Sequence, residues 1–188
     1  MERALAQNAL LMTATNEDVL DAAVREHARL VYRIAYSVSR NHHDAEDATQ
    51  ETFLRVLRYR RKLEGVDDSK TWIARIAWRV AVEQAKKRLA VSLTGTESAI
   101  AELRAGGKTA EELAANNQMS LILESLIAAL PESLRDAMRL STIEELLPKE
   151  IAEVLETNEA SVRSRLFRAR EILKQKLKAL EVNHGTRK

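Results

Sequence analysis

Apolar residues recur every three or four positions along most of the chain, which is the spacing of one buried face of an α-helix. In the N-terminal half this stripe runs through Leu20, Val24, His27, Val31, Ile34 and Val38. A second helix is predicted from about Asp44, and its apolar positions are Ala48, Phe53, Val56 and Leu57. A third helix is predicted from about Ser69, and it would bury Ile73, Ile76, Ala77 and Val80. The stripe places His27 in the core rather than at a ligand site.

The C-terminal half has a more interrupted pattern. Because proline suits the first turn of a helix, Pro131 and Pro148 predict two helix starts after an apolar helix at 119–130. The two helices are predicted at about 131–146 and 149–155. A turn of Glu156, Thr157 and Asn158 follows, and Asn158 is a suitable cap for a long basic helix. A short helix, a three-residue turn and a long helix form the helix-turn-helix pattern, whose second helix enters the DNA major groove.

The two halves are separated by a stretch that predicts a linker, with Gly95, Gly106, Gly107 and several small polar residues. The predicted division is a leader at 1–15, disordered or weakly helical, a helical domain at 16–89, a flexible linker at 90–117, a second helical domain at 118–182 and a tail at 183–188. The predicted fold is therefore all-α, with two helical domains.

Composition narrows the class of protein. The chain of 188 residues contains no cysteine, which excludes disulfides and thiolate metal sites and fits a reducing compartment. Its apolar runs are too short to span a bilayer, and its polar start does not fit a signal peptide. We therefore expect a cytoplasmic protein without membrane insertion.

Charge is balanced overall, at +2, but it is locally concentrated. Seven Lys or Arg and one acid lie at 163–178, five basic residues lie at 55–62, and four acids without any Lys or Arg lie at 42–51. Such local patches suit binding at defined surfaces. The acidic segment suits a basic protein partner, although acids are also ordinary at a helix N-terminus.

The arginines of the long C-terminal helix point in different directions. At about 100° per residue the buried face consists of Val162, Leu166, Ala169, Leu173, Leu177 and Leu180. The opposite face consists of Ala160, Ser161, Ser164, Phe167, Arg168 and Glu171. There Arg168 could read guanine, and thymine methyls would cover Phe167. Arg163 and Arg165 flank this face and suit phosphates, whereas Arg170 lies near the core boundary.

The third helix has a second face opposite its predicted core, with basic residues interleaved with aromatics. This face consists of Arg75, Trp78, Arg79, Val82 and Lys86, with Trp72 at its margin. Rings stack on unpaired bases and cations follow the backbone, so the pattern suits separated nucleic-acid strands. For Trp72 alone, a place in the core is an equal alternative.

Three runs in order give the chain a family resemblance. DAEDATQETFLRVLRYRRKL (44–63), WIARIAWRVAVEQAKKR (72–88) and EIAEVLETNEASVRSRLFRAREIL (150–173) resemble regions 2.2, 2.3 to 2.4 and 4.2 of an extracytoplasmic-function (ECF) sigma factor. The resemblance implies a protein that binds core RNA polymerase, recognises promoter DNA and melts it without being an enzyme. It also implies an anti-sigma factor as a partner, and neither cofactor nor metal.

The resemblance assigns roles by position. It implies core-polymerase contacts at Asp47, Gln50, Glu51 and Phe53. It implies capture of single-stranded minus-10 DNA and melting at Arg60, Arg61, Lys62, Gly65, Asp68, Arg75, Trp78 and Arg79. It implies duplex minus-35 contacts at Ser161, Arg163, Ser164, Arg165, Phe167 and Arg168.

The chain departs from the family pattern at four places. Glu156 stands where relatives often have a glycine or another small residue, and 158–161 reads Asn-Glu-Ala-Ser instead of Pro-x-Gly-Thr. Trp78 and Arg79 replace a common Arg-Asn pair. The segment 1–14 has no counterpart in the resemblance.

Two other classes of function remain as alternatives. A helix-turn-helix regulator that never joins polymerase explains the C-terminal half equally well, but it leaves the acidic, basic and aromatic surfaces upstream unexplained. An enzyme could use His42, His43 and Asp44, but adjacent side chains point in different directions on a helix and no other ligand cluster supports them.

Overall fold

The computed structural model describes the backbone at residues 2–59, 66, 68–94, 118–143 and 145–185, and the side chains at 21–59, 66, 68–91, 121–143 and 145–180. Within these ranges there are seven helices and no strand. They are α1 (Glu2–Ser39), α2 (His42–Arg58), α3 (Ser69–Thr94), α4 (Gln118–Ala128), α5 (Glu132–Ser141), α6 (Pro148–Val154) and α7 (Glu159–Gly185). The chain divides into two compact units, Met1–Glu102 and Leu103–Lys188. The predicted all-α fold with two helical domains is confirmed.

The N-terminal unit is a three-helix body in which each helix packs against the other two. Its fully buried side chains come from all three helices, and include Val31, Ile34, Val56, Ile73 and Val80. His27 is buried among them, as predicted, with 5% of its surface exposed. α1 begins at Glu2 and so includes most of the predicted leader, and α3 continues to Thr94, past the predicted start of the linker.

Local hydrogen bonds explain where the helices of this unit begin and end. Arg40 has a φ of 53°, a left-handed conformation that ends α1, and its N–H donates to the carbonyl of Tyr36 over 2.9 Å. Asn41 caps α2, because its Oδ1 accepts the N–H of Asp44 at 3.2 Å. Asp68 caps α3 by accepting both the N–H of Thr71 (3.0 Å) and its hydroxyl (2.6 Å).

The C-terminal unit is built around α7, which packs against α4, α5 and α6. Its buried side chains include Leu140, Ile151, Val162 and Ala169. The helix predicted to run to about residue 146 ends at Ser141 instead. The chain then turns so that Ile143 and Leu146 are both buried. Leu147 comes next, and its position before Pro148 disfavours a helical conformation there.

The turn between α6 and α7 has a Schellman geometry. The N–H of Thr157 donates to the carbonyl of Ala152 over 2.9 Å, and the N–H of Glu156 donates to that of Glu153 over 3.3 Å. Glu156 carries the positive φ, 52°, that this motif requires. Asn158 then caps α7 as predicted, accepting the N–H of Ser161 over 2.8 Å.

Candidate functional site

The outward face of α7 carries the residues predicted to contact duplex DNA. Val162, Leu166, Ala169 and Leu173 are buried as predicted, which turns the opposite side of the helix outward. Phe167 is 68% exposed, an unusual degree for a large aromatic ring. The burial stripe weakens toward the C-terminus, where Leu180 is exposed.

Two arginines on α7 are held by neighbours one turn away. Arg168 Nη2 donates to the Ser164 hydroxyl over 2.8 Å, which orients the guanidinium along the outward face. Arg163 donates to Oε1 of Glu159 from Nε (3.1 Å) and Nη2 (2.5 Å). Arg165 is half-buried beside the outward face, and Arg170 is exposed rather than at a closed core boundary.

The second predicted surface, on α3, requires one correction. Trp78 was predicted to point outward, but only 7% of its surface is exposed. α3 packs against both α1 and α2, so its buried arc is wider than that of a helix with one neighbour. That arc takes in Ala74, Trp78 and Ala81 beside the predicted stripe, and Ile76 is only half-buried. Trp78 is therefore a core residue.

The outward side of α3 keeps part of the predicted face of basic and aromatic residues. Trp72 and Arg75 are half-buried and Arg79 is exposed, and their spacing of three and four residues places them on one side of the helix. Asp68 lies at the start of this helix, and the pKa of its carboxyl is lowered chiefly by the hydroxyl hydrogen bond from Thr71 and then by the N–H of Thr71. Arg60, Arg61, Lys62 and Gly65 lie outside the described residues.

The third predicted surface lies along α2, and it also requires a correction. Asp47 and Gln50 are exposed and Glu51 is half-buried, at spacings that put them on one face. Phe53 is not part of this face, because it packs into the three-helix body with 9% of its surface exposed. Its neighbour Leu54 is 58% exposed and continues the face one turn beyond Gln50 and Glu51. Leu54 was not predicted from the sequence, although its helical spacing from Asp47 places it on the same face of α2.

Two ion-pair groups join α2 to α3. Asp44, which is buried, pairs with Arg88 near the far end of α3. Arg55 pairs with Glu51 and with Glu83, and Glu83 also pairs with Lys87. The Glu51 carboxylate is the main cause that raises the pKa of Arg55, and Lys87 and Arg55 lower the pKa of Glu83.

The three residues considered for an enzyme or metal site do not converge. The Tyr32 hydroxyl lies 2.5 Å from Nδ1 of His42, whose ring is 4.9 Å from that of Tyr36. His43 is exposed and Asp44 is turned inward to Arg88. Among the described side chains, no group of three or more possible ligands could hold a metal ion. No helix in the described part of the chain is long and apolar enough to cross a membrane.

Comparison with known proteins assigns both units. Residues 23–90 match the family model for Sigma-70 region 2, and residues 120–173 match that for Sigma-70, region 4. A helix-turn-helix regulator that works without polymerase is not favoured, because the match at 23–90 accounts for the N-terminal unit that such a regulator leaves unexplained.

Two solved structures share the fold. CnrH in complex with the cytosolic domain of CnrY gives a TM-score of 0.62 at 20% identity, covering 91% of this chain and 95% of that chain. The sigma factor RpoE in complex with the anti-sigma factor NepR from Bartonella quintana gives 0.61 at 18% identity, covering 86% and 98%.

Curated relatives extend over most of the chain. ECF RNA polymerase sigma factor SigE of Mycolicibacterium smegmatis is 33% identical over 158 residues, which are 84% of this chain but 61% of that protein. The ECF RNA polymerase sigma-E factor of Haemophilus influenzae is 32% identical over 155 residues, 76% of this chain and 78% of that protein. The predicted resemblance is confirmed, and the chain belongs to the ECF sigma factors of RNA polymerase.

Proposed function

We propose that this chain binds core RNA polymerase and directs it to promoters with a duplex minus-35 element and a minus-10 element held as a separated strand. The observation that carries the proposal is Phe167, exposed between Ser164 and Arg168 on the second helix of a helix-turn-helix. An aromatic ring in this position loses its unfavourable contact with water when base methyls or sugars cover it.

At the minus-35 element, α7 enters the major groove and its contacts divide by direction. Arg168, oriented by Ser164, donates to guanine O6 and N7, and Phe167 packs on a thymine methyl. Arg163, Arg165 and Ser161 contact phosphates, which position the helix without specifying sequence. Arg163 exchanges its pairing with Glu159 for a phosphate when DNA binds.

At the minus-10 element, the outward side of α3 holds the unpaired strand. Trp72 offers a ring for stacking, and Arg75 and Arg79 follow the backbone. Asp68 lies at the start of this helix. In the sequence it follows the segment that contains Arg60, Arg61, Lys62 and Gly65, and the family resemblance implies that this segment captures a minus-10 base. Trp78 has no direct role, because it is buried.

Core polymerase docks on the face of α2 formed by Asp47, Gln50, Glu51 and Leu54. This face combines acidic groups with one apolar side chain that is 58% exposed. A basic partner surface with an apolar pocket complements it in charge and in hydrophobicity.

An anti-sigma factor regulates the chain by covering these faces. Support comes from the structural neighbours, since RpoE was solved with its anti-sigma factor NepR and CnrH with the cytosolic domain of CnrY. In this proposal the protein acts in the cytoplasm as a polymerase subunit and catalyses no reaction of its own.

Footprinting with and without core polymerase tests this proposal. A sigma factor protects two separate promoter elements only when core enzyme is present. Protection of a single duplex site by the chain alone, unchanged by core enzyme, would instead identify a regulator that works without polymerase.

A further inference from the structure

Four charged side chains form one continuous series of contacts between α2 and α3. Arg55 Nε donates to Oε1 of Glu51 over 2.7 Å, and Arg55 Nη2 donates to Oε2 of Glu83 over 3.0 Å. Lys87 Nζ lies 2.7 Å from Oε1 of Glu83. The guanidinium of Arg55 is therefore divided between carboxylates on two helices.

This division leaves Glu51 only partly neutralised. Nε and Nη2 form the side of a guanidinium that can hold both oxygens of one carboxylate. Glu83 occupies the Nη2 corner, so Arg55 reaches only one oxygen of Glu51. Among the described side chains, none donates a hydrogen bond to Oε2 of Glu51, whose side chain is 37% exposed. That oxygen is available to an incoming basic group.

Glu83 is well placed to keep this arrangement. Both of its oxygens are engaged, one by Lys87 and one by Arg55, and these two cations lower the pKa of its carboxyl. It therefore stays ionised at neutral pH and continues to attract Arg55. Glu83 itself lies on α3, whereas Asp47, Gln50, Glu51 and Leu54 lie on α2.

We propose that Glu83 is a positioning residue for polymerase docking, because by holding Nη2 of Arg55 it keeps one oxygen of Glu51 available to a basic partner. The inference rests on the proposed function, since it takes the acidic face of α2 as the docking surface. Without the charge of Glu83, Arg55 closes on both oxygens of Glu51 and masks its charge.

Equilibrium binding of the full chain to core RNA polymerase tests this role. Glu83→Gln keeps the shape of the side chain and removes its charge, and we expect about three- to tenfold weaker binding. Glu26→Gln makes the same change in net charge at an exposed position on α1 and should alter binding less than about twofold. The urea midpoint measured by tryptophan fluorescence should stay close to that of the parent chain for both variants, since ion pairs that remain partly exposed to solvent contribute little to stability.

A double-mutant cycle separates positioning from other effects. If Glu83 acts through Glu51, then Glu83→Gln has no further effect in a Glu51→Gln background. An equal loss in both backgrounds, or no loss in the parent chain, would overturn the role of Glu83 while leaving the docking face intact. If Asp47→Asn and Glu51→Gln both leave binding unchanged, the docking face itself is wrong, and the positioning role with it.

Discussion

We expect sequence-specific recognition to depend most on Arg168. It is exposed on the outward face of α7, and its bond to Ser164 limits the directions that the guanidinium can take. We predict that Arg168→Ala costs about 1–3 kcal/mol of binding to the preferred promoter and relaxes preference at one minus-35 position. Competition binding of holoenzyme to a panel of minus-35 variants measures both effects.

Arg163 supplies the matched control for Arg168. Arg163→Ala should weaken binding about equally for all sequences and lower the slope of log affinity against log salt by about one, because it removes a phosphate contact. If Arg168→Ala behaved in that same uniform way, Arg168 would be a phosphate contact and not a base reader.

Asp68 adds a pH-dependent contribution to the stability of the N-terminal unit. Its pKa in the folded chain is lowered by the bonds from Thr71, so its contribution is present above the unfolded value of about 3.9 and is lost as the pH falls through the folded value. Asp68→Asn also caps a helix but does not titrate. We predict that between pH 6 and pH 3 the parent chain loses more stability than Asp68→Asn.

Unfolding followed by tryptophan fluorescence at each pH measures the stabilities of the parent chain and Asp68→Asn. The signal reports on the N-terminal unit, because both tryptophans, Trp72 and Trp78, lie there. Asp68→Ala removes the cap at every pH and should cost about 1 kcal/mol at pH 6. Equal acid losses in the parent chain and Asp68→Asn would contradict a role for the Asp68 carboxylate in the pH response.

Glu156 occupies a backbone conformation that costs energy for any residue with a Cβ. Its φ of 52° is left-handed, and glycine adopts that conformation without the penalty of about 1–2 kcal/mol. We predict that Glu156→Gly stabilises the helix-turn-helix by about 1 kcal/mol, which slows hydrogen exchange of the buried amides of α6 and α7 about fivefold. Glu153→Gly, within α6, should instead destabilise the helix-turn-helix and speed up this exchange. Faster exchange in Glu156→Gly would contradict the assignment.

At the level of the helices, periodicity predicted the type and order of the elements but not the width of each buried face. The stripe on α7 correctly turned Phe167 outward, since that helix has a distinct outward side. The same reasoning failed for Trp78 because α1 and α2 together cover a wider arc of α3 than its apolar stripe, a tertiary arrangement that no local pattern encodes. Phe53 is buried, as its place among the apolar positions of α2 predicts, and the polymerase contact that the resemblance gives it stays a prediction.

We expect adjacent residues on α2 to separate docking from stability. Leu54→Ala removes an exposed side chain, so we predict about tenfold weaker binding to core polymerase with an unchanged urea midpoint. Phe53→Ala removes a buried ring and should lower the free energy of unfolding by about 3–5 kcal/mol. Titration with core enzyme measures the binding of Leu54→Ala, and urea unfolding measures the stability of both variants. Unchanged binding of Leu54→Ala would remove Leu54 from the docking face.

At the level of the whole molecule, two helical units carry different surfaces. The N-terminal unit holds an acidic face on α2 and a basic, aromatic side on α3, and the C-terminal unit holds the outward face of α7. The order of these surfaces was predictable from sequence, because each lies on one helix. The contacts between α2 and α3, from Arg55 to Glu83 and from Asp44 to Arg88, join residues 28 and 44 positions apart and were not predictable from local spacing.

Run-off transcription with purified core RNA polymerase is the strictest test of promoter-directed initiation by this chain. The chain should direct initiation from a fixed start site on a promoter with separate minus-35 and minus-10 elements, and scrambling either element should abolish the product. If a core enzyme shown to be active with another sigma factor yields no promoter-specific product with this chain at any tested promoter, the proposed function is wrong.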